Sequence, residues 1–176
     1  MNNYQRLFIL VEGLDDSRFC NKIIKTRFKP KYDYISIHEY SNQNKDFILK
    51  FIKSINSMGA DYIFISDFNK ENCITAKKQK ILCKYKNKLD ENNIVIVKEE
   101  IESWYMAGMD DTQSKLLEIP KIKETNNFTK EHFNDFQQLK NRSRIDLMVE
   151  MLKSYNIKIA KQKNKSFKYF IEKYLN

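Results

Sequence analysis

Three short apolar runs, each followed directly or after a few residues by an acid, limit what this chain can fold into. They are residues 7–11 (LFILV), 62–65 (YIFI) and 94–97 (IVIV). A strand that is apolar on both faces must be covered on both faces, as a central strand of a parallel sheet is. Stretches with helical spacing separate the runs, so the sequence predicts an α/β fold with a mostly parallel, Rossmann-like sheet flanked by helices.

Residue spacing predicts the remaining elements. Residues 34–38 alternate weakly and indicate another strand. Asp15 is placed to cap the helix after the first strand, and Ser166 is placed to cap the last predicted helix. Residues 47–55 have helical spacing that stops at Gly59. We expect one domain over residues 1–176, with an α/β core over about 1–108 and a helical extension over about 109–176 packed on it. The further predicted helices cover residues 71–88, 101–107, 112–117, 129–139, 143–155 and 166–174, with a loop over 119–127.

The chain is basic. Its 176 residues contain 32 Lys and Arg against 23 Asp and Glu, which gives a net charge of +9, and lysines concentrate in residues 22–31, 77–88 and 151–176. Two interpretations stay open, a solvated Lys-rich surface and a nucleic-acid footprint. Apolar runs are far shorter than the roughly 20 residues of a membrane span, and the start has no signal-peptide pattern. Three cysteines without a C-x-x-C pair favour a reducing compartment, so we expect a cytoplasmic protein without a membrane partner.

Carboxylates follow the strong strands. Glu12 comes after the first run, Asp67 after the second, and Glu99, Glu100 or Glu102 after the third. Open α/β sheets bind ligands at the carboxyl ends of their strands. Because Mg²⁺ prefers carboxylate oxygens and keeps part of its shell for water and phosphate, these acids predict a magnesium site at that edge.

At these residues the sequence resembles the Toprim-like domain family. LFILVEGLDDSRF (7–19) is similar to the first Toprim motif, and YIFISDFNK (62–70) is similar to the second. EEIESWYMAG (99–108) and YNIKIAKQKNKSFKYFIEKYL (155–175) resemble small stand-alone Toprim-like proteins of bacterial defence loci, which are related to the overcoming-lysogenization-defect nucleases. The resemblance covers residues 7 to about 175.

The resemblance implies a role for each matching acid. Glu12 is the acid of the first motif, Asp67 the first Asp of the second motif, and Glu102 completes the catalytic and metal-binding set, with Glu99 or Glu100 as alternatives. Asn69 stands where the second motif has its second Asp. An amide oxygen still suits Mg²⁺, but one negative charge is lost. Asp15 and Asp16 match acids of the Toprim-type ribosomal-RNA maturases.

The activity that the resemblance implies is Mg²⁺- or Mn²⁺-dependent hydrolysis of phosphodiester bonds in DNA or RNA, in defence against phage or foreign nucleic acid. Two alternatives stay open: a degraded site that binds nucleic acid or a partner without cutting, and an RNA-processing enzyme. Lys70 and Lys98 lie beside the predicted edge and are candidate phosphate contacts, as is Lys165 from the resemblance.

The sequence also bears on the partners of this protein. The chain has no phosphate-binding loop of the G-x-x-x-x-G-K-[ST] type. An ATPase of the kind found with defence nucleases must therefore be a separate protein. A homo-oligomer stays an open possibility.

Arg142 and Arg144 precede a predicted helix whose start would suit a phosphate, although a solvated surface is the alternative. Trp104 is predicted to lie in the core rather than to stack on a base.

Overall fold

The first strand of the chain lies inside the sheet and is covered on both faces. The computed structural model describes residues 4–140 and 143–175, so Arg142 lies outside the described residues. Leu7, Ile9 and Val11 point to one face of the strand, Phe8 and Leu10 to the other, and all five are buried. This double burial confirms the sequence prediction of a central strand.

The sheet is parallel and has the strand order β2-β1-β3-β4. β1 pairs with β2 through Leu7 opposite Ile35, and with β3 through Leu7 opposite Asp61. The strands are β1 (Arg6–Val11), β2 (Tyr34–Glu39), β3 (Asp61–Asp67) and β4 (Ile94–Val97). The α/β fold with a parallel, Rossmann-like sheet and a helical second half is as predicted.

The chain divides into two compact units, Met1–Ile96 and Val97–Asn176. The first unit contains α1 (Leu14–Phe19), a π-helical segment (Cys20–Ile24), α2 (Lys25–Phe28), α3 (Lys45–Ser57), α4 (Ile74–Lys84) and a short 3₁₀ helix (Glu91–Asn93). The second contains α5 (Glu102–Ala107), α6 (Asp111–Leu116), α7 (Lys130–Lys140), α8 (Arg144–Lys153), α9 (Ile157–Lys163) and α10 (Lys165–Tyr174). The sequence prediction placed the change of pattern later, near residue 108.

One core of the first unit lies between the sheet and the helices α3 and α4. Ile48, Ile52 and Ile55 of α3 and Ile81 and Leu82 of α4 belong to the same buried cluster as Phe8, Leu10 and Phe64 of the strands. The two helices therefore cover the same face of the sheet. α3 is followed by Gly59 in the left-handed region, at a φ of 60°, which confirms the predicted stop.

Two predicted helix caps are wrong. The N-cap of α1 is Gly13, whose extended backbone is followed by Leu14 as the first helical residue, so Asp15 lies in the first turn rather than at the cap. The N-cap of α10 is Asn164, whose Oδ1 accepts the backbone N–H of Phe167 at 2.9 Å. Ser166 instead donates its hydroxyl to Asn164 Oδ1 at 2.7 Å.

The second unit is built around Trp104, which is fully buried as predicted. Its ring contacts Phe167 at 5.1 Å and Phe170 at 5.4 Å between centroids. The indole N–H donates to Ser166 Oγ at 2.9 Å, which satisfies the polar atom of a buried ring. Helix α9, which the sequence analysis did not predict, precedes α10 and shares Asn164 with it as a boundary.

Gly108→Ala should destabilise the second unit. An added Cβ at this position would lie 2.2 Å from Cε2 of the Tyr155 ring, and the Tyr155 hydroxyl is held by a 2.8 Å hydrogen bond to the Trp104 carbonyl. Overpacking of a filled interior costs about 1–3 kcal/mol. The free energy of unfolding from urea titration should fall by this amount, and the urea midpoint should fall with it.

Tyr155→Leu is the matched background for this change. The smaller, unbonded side chain leaves room for the Cβ, so Gly108→Ala should cost much less in that background, and the double-mutant cycle should show coupling. Equal costs in both backgrounds would show that the Tyr155 ring is not what excludes the methyl group.

Candidate functional site

The candidate site lies where the direction of chain connection reverses. β1 pairs with β2 on one side and with β3 on the other. After β1 the chain forms β2 on one side of β1, and it later crosses to the other side to form β3. Such a switch point opens a crevice at the carboxyl ends of the two central strands, and ligands of α/β sheets bind there. Glu12 directly follows β1, and Asp67 is the last residue of β3.

These two acids are brought together. The backbone N–H of Asp67 donates to Glu12 Oε2 at 3.4 Å across 55 residues of sequence. Both residues are partly exposed, and Oδ1 of Asp67 is buried. The contact fixes the Glu12 carboxylate at the end of β3, as the sequence pattern predicted for the sheet edge.

The two acids at the start of α1 have different surroundings. Asp16 is 5% exposed, and its Oδ2 accepts the backbone N–H of Gly13 at 3.2 Å. Asp15 is partly exposed, and its Oδ1 accepts a hydrogen bond from the Arg18 guanidinium at 2.5 Å. Asp16 is therefore the buried acid of the two and is bonded to the residue that follows Glu12, whereas Asp15 forms an ion pair with Arg18.

A strained turn follows β3. Asn69 and Lys70 both lie in the left-handed region, with φ of 53° and 58°. Asparagine tolerates this conformation better than most side chains, and strain of this kind is frequent at functional sites. Asn69 lines the cavity next to Glu12, and Lys70 is exposed.

A cavity of about 230 Å³ opens at this edge. Its walls in the strands and their ends include Glu12, Tyr40, Phe64, Ser66 and Asn69, and helix α4 supplies the rest. Burial raises the pKa of the Tyr40 phenol, and the Glu12 and Asp16 carboxylates raise it further. Burial likewise raises the pKa of Tyr85, with a further contribution from Glu12. Both phenols therefore keep their protons, and the Tyr40 hydroxyl donates to the Ile65 carbonyl at 3.1 Å.

Three lysines of α4 line the same cavity, which the sequence analysis did not predict. They are Lys77, Lys80 and Lys84, and their spacing of three and four residues places them on one face of the helix. Lys77 is buried, and Lys80 forms an ion pair with Glu71, whose pKa it lowers. The signal was present in the sequence as a run of lysines at helical spacing, but their direction toward Glu12 depends on how α4 packs.

The acids after β4 belong to the second unit. Glu99 lies in the left-handed region at a φ of 60°. Oε2 of Glu100 accepts the backbone N–H of Lys130 at 2.6 Å. Of the two lysines named from the sequence in this unit, Lys98 donates its backbone N–H to Ser166 Oγ at 3.1 Å, and Lys165 is exposed with its backbone N–H bonded to Asn126 Oδ1 at 2.8 Å.

Glu102 is almost fully buried and ion-paired with Arg144. Arg144 also donates to Asn134 Oδ1 at 2.6 Å and lies 4.9 Å above the centre of the Phe133 ring. Burial raises the pKa of Glu102, although Arg144 acts in the opposite direction. Arg144 therefore serves as the counter-charge of Glu102, and no local sequence pattern could have predicted it across 42 residues.

The donor set of the first unit fits a hard divalent cation. Within residues 4–140 and 143–175, no group of three or more Asp, Glu, His or Cys side chains is spaced to hold a metal ion. Mg²⁺ is commonly bound through one or two carboxylates, with water and substrate phosphate filling the other positions. Glu12 and Asp67 supply two carboxylates at one edge, and Asn69, whose amide contains a neutral oxygen, lines the same cavity as Glu12.

Comparison of the chain with protein-family models, with curated proteins and with solved structures finds no match. In the part of the chain that the structure describes, no helix is both long enough and apolar enough to cross a bilayer. What the protein does is therefore inferred from its own residues and their geometry.

Arg144→Met should destabilise the protein strongly at neutral pH. The variant leaves the Glu102 carboxylate buried without its counter-charge, which typically costs about 3–5 kcal/mol. Because the pKa of Glu102 is already raised from its ordinary value of 4.5, the folded state holds this proton more tightly than the unfolded chain. The bound proton contributes its whole stabilisation below the ordinary pKa, and this contribution is lost as the pH rises through the pKa of Glu102 in the folded protein.

The loss in Arg144→Met should therefore shrink in acid. Urea unfolding of the variant and the wild type from neutral pH down to about the ordinary carboxyl pKa measures this difference. Adding Glu102→Gln removes the charge, so the double variant should regain most of the lost stability. A loss that is independent of pH and unchanged by Glu102→Gln would contradict the role of Arg144 as a counter-charge.

Proposed function

We propose that this protein is a metal-dependent phosphodiesterase that acts on nucleic acid, with its site at the carboxyl edge of the sheet. One observation carries the proposal: Glu12 and Asp67 meet at the switch point between β1 and β3, where Asp67 N–H contacts Glu12 Oε2 at 3.4 Å. The lysines of α4 that line the adjoining cavity add positive charge beside the two acids. A site with both charges suits an anionic substrate held next to a cation.

Glu12 and Asp67 would hold Mg²⁺ or Mn²⁺, and Asn69 would offer an amide oxygen. When bound, such an ion supplies polarisation of the scissile phosphate and a lowered pKa of the attacking water. The protein's own groups do the rest of the work. Lys77, Lys80 and Lys84 neutralise substrate phosphates, and the protonated phenol of Tyr85 offers a neutral donor at the cavity wall.

The role of Glu102 in this proposal is limited by its ion pair. Its carboxylate is bonded to Arg144 and is almost fully buried. To bind a metal ion, the Glu102 carboxylate would first have to release the Arg144 guanidinium. Glu12 and Asp67 are therefore the residues on which the proposal rests.

A second candidate function is binding of nucleic acid without hydrolysis. Asn69 favours it, because this residue lines the cavity beside Glu12 and contributes no negative charge. A site with fewer charges holds divalent cations less tightly. The two functions make different predictions for the same preparation of wild-type protein.

Glu12→Gln and Asp67→Asn should each abolish metal-dependent cleavage. Plasmid DNA, single-stranded DNA and structured RNA are incubated with Mg²⁺, Mn²⁺ or EDTA, and the products are separated on gels. Even residues that only orient metal ligands contribute about 10–100-fold, so loss of a ligand should lower the rate by on the order of 100-fold or more. Cleavage of RNA alone would select the RNA-processing alternative.

Glu39→Gln is the matched control for these variants. Glu39 is the last residue of β2 and lies opposite Val11 in the sheet, so the same chemical change is made at the same edge. Its rate should equal that of the wild type. Wild-type protein that binds nucleic acid but leaves all substrates intact would reject hydrolysis and support the binding function.

Asn69→Asp should raise the affinity for Mg²⁺ several-fold. The substitution adds a carboxylate at a position that already lines the cavity, and Asp also tolerates the left-handed backbone. Isothermal titration calorimetry with Mg²⁺ alone measures the change directly, without any substrate. Unchanged affinity would show that residue 69 lies outside the metal's reach, whereas Asp67→Asn should lower the affinity in the same experiment.

A further inference from the structure

A second cavity lies on the same face of the sheet as the first. Its volume is about 660 Å³, and it is lined by α3 and by the segment that follows α4. Leu49 and Ile52 form an apolar part of the wall. Lys50, Lys53, Lys86 and Lys88 surround it, and all four are exposed. Among the residues that line this cavity there is no carboxylate.

The two cavities follow one another along α4 and the segment that follows it. Lys84 lines the first and Lys86 the second, two positions further along the chain. Helices α3 and α4 share one buried cluster on one face of the sheet, so the lysines from both helices flank the same core. The lysines that line the two cavities therefore extend from the Glu12 cavity, along α4 and the segment after it, to the cavity of α3. We name them the lysine track: Lys50, Lys53, Lys77, Lys80, Lys84, Lys86 and Lys88.

The dimensions suit a nucleic-acid strand. Lys77 and Lys84 are seven residues apart on α4, or about 10 Å along its axis at 1.5 Å per residue. A stacked strand rises about 3.4 Å per nucleotide, so this part of the track alone is about three nucleotides long. All the positive charge of the track is carried by lysines, which neutralise phosphates without reading sequence.

The apolar wall of the second cavity favours an unpaired strand over a duplex. In a duplex the faces of the bases are stacked and hidden, so only its phosphates would meet the track. An unpaired base exposes an apolar face, which Leu49 and the aliphatic stems of Lys50 and Lys53 can cover. The cavity volume is that of a small-molecule site, which admits a base and excludes a double helix.

We propose that the lysine track binds a single strand of DNA or RNA that runs from the Glu12–Asp67 site to the cavity of α3. The catalytic end of this path rests on the proposed function. The binding surface itself stands on the lysines and the apolar wall, and it is testable without cleavage.

Binding is measured by fluorescence anisotropy in EDTA, with a labelled single strand of about 12 nucleotides, within the range of known single-strand sites, and with the duplex of the same sequence. The test variant is Lys50→Gln, Lys53→Gln, Lys86→Gln and Lys88→Gln together. These residues are exposed, so the fold is expected to survive, and circular dichroism with thermal unfolding checks it.

The matched control replaces Lys22, Lys25, Lys29 and Lys31 by Gln, in the segment between β1 and β2, so both variants lose four charges. The wild type should bind the single strand at least 10-fold more tightly than the duplex. The track variant should lose at least 10-fold in affinity for the single strand, and the slope of log K against log salt should become shallower by about 0.7 for each phosphate contact removed. The control should lose no more than a few-fold.

Equal losses in the track and control variants, or equal binding of duplex and single strand, would overturn the inference. A competition experiment gives a third test. If polyglutamate displaces the labelled single strand as well as unlabelled DNA does, at equal concentrations of negative charge, the surface binds any polyanion and the inference is overturned. Single-strand binding that depends on the track, in a protein that never cuts, leaves the inference standing and rejects hydrolysis. If the protein cleaves nucleic acid and the track variant cleaves as fast as the wild type, hydrolysis is supported and the inference about the track is rejected.

Discussion

The burial of β1 on both faces is the constraint on which the first unit depends. Five successive apolar side chains cannot be satisfied by one layer of helices, so the chain must cover this strand twice and pair it on both edges. Parallel pairing then follows from the helical connections. It places the carboxyl end of β1 beside that of β3, and the Glu12 side chain reaches the backbone of Asp67 for this reason.

The sequence predicted the sheet and two residues of the candidate site because both depend on local pattern. An apolar run followed by an acid defines a strand and its end, so the meeting of Glu12 with Asp67 could be expected from the order of residues alone. The surroundings of these acids depend on packing. Nothing in the local sequence separates Asp15, which pairs with Arg18 at the surface, from Asp16, which is buried.

Long-range partners account for what the sequence analysis left out. Arg144 is 42 residues from Glu102, and only the packing of α5 with α8 brings them together. The lysines of α4 were visible as a basic run, but a solvated helix and a helix that faces a cavity have the same composition. Helix α9 was missed because it is only seven residues long and has few apolar positions. The caps at Gly13 and Asn164 show that a predicted helix start shifts easily by two residues when several cap-forming residues stand together.

The π-helical segment between α1 and α2 has a consequence for how this chain tolerates changes in length. A π-turn holds one residue more than an α-turn, and the surplus is absorbed within a single turn. Phe19 before it, Cys20 and Ile24 within it and Phe28 after it are all buried, so the helix keeps its apolar face across the interruption. Loss of one residue from Cys20–Ile24 would leave an ordinary α-helix with both ends still attached to β1 and β2. The segment is thus a point where the chain can lose one residue while the acids at the start of α1 keep their place.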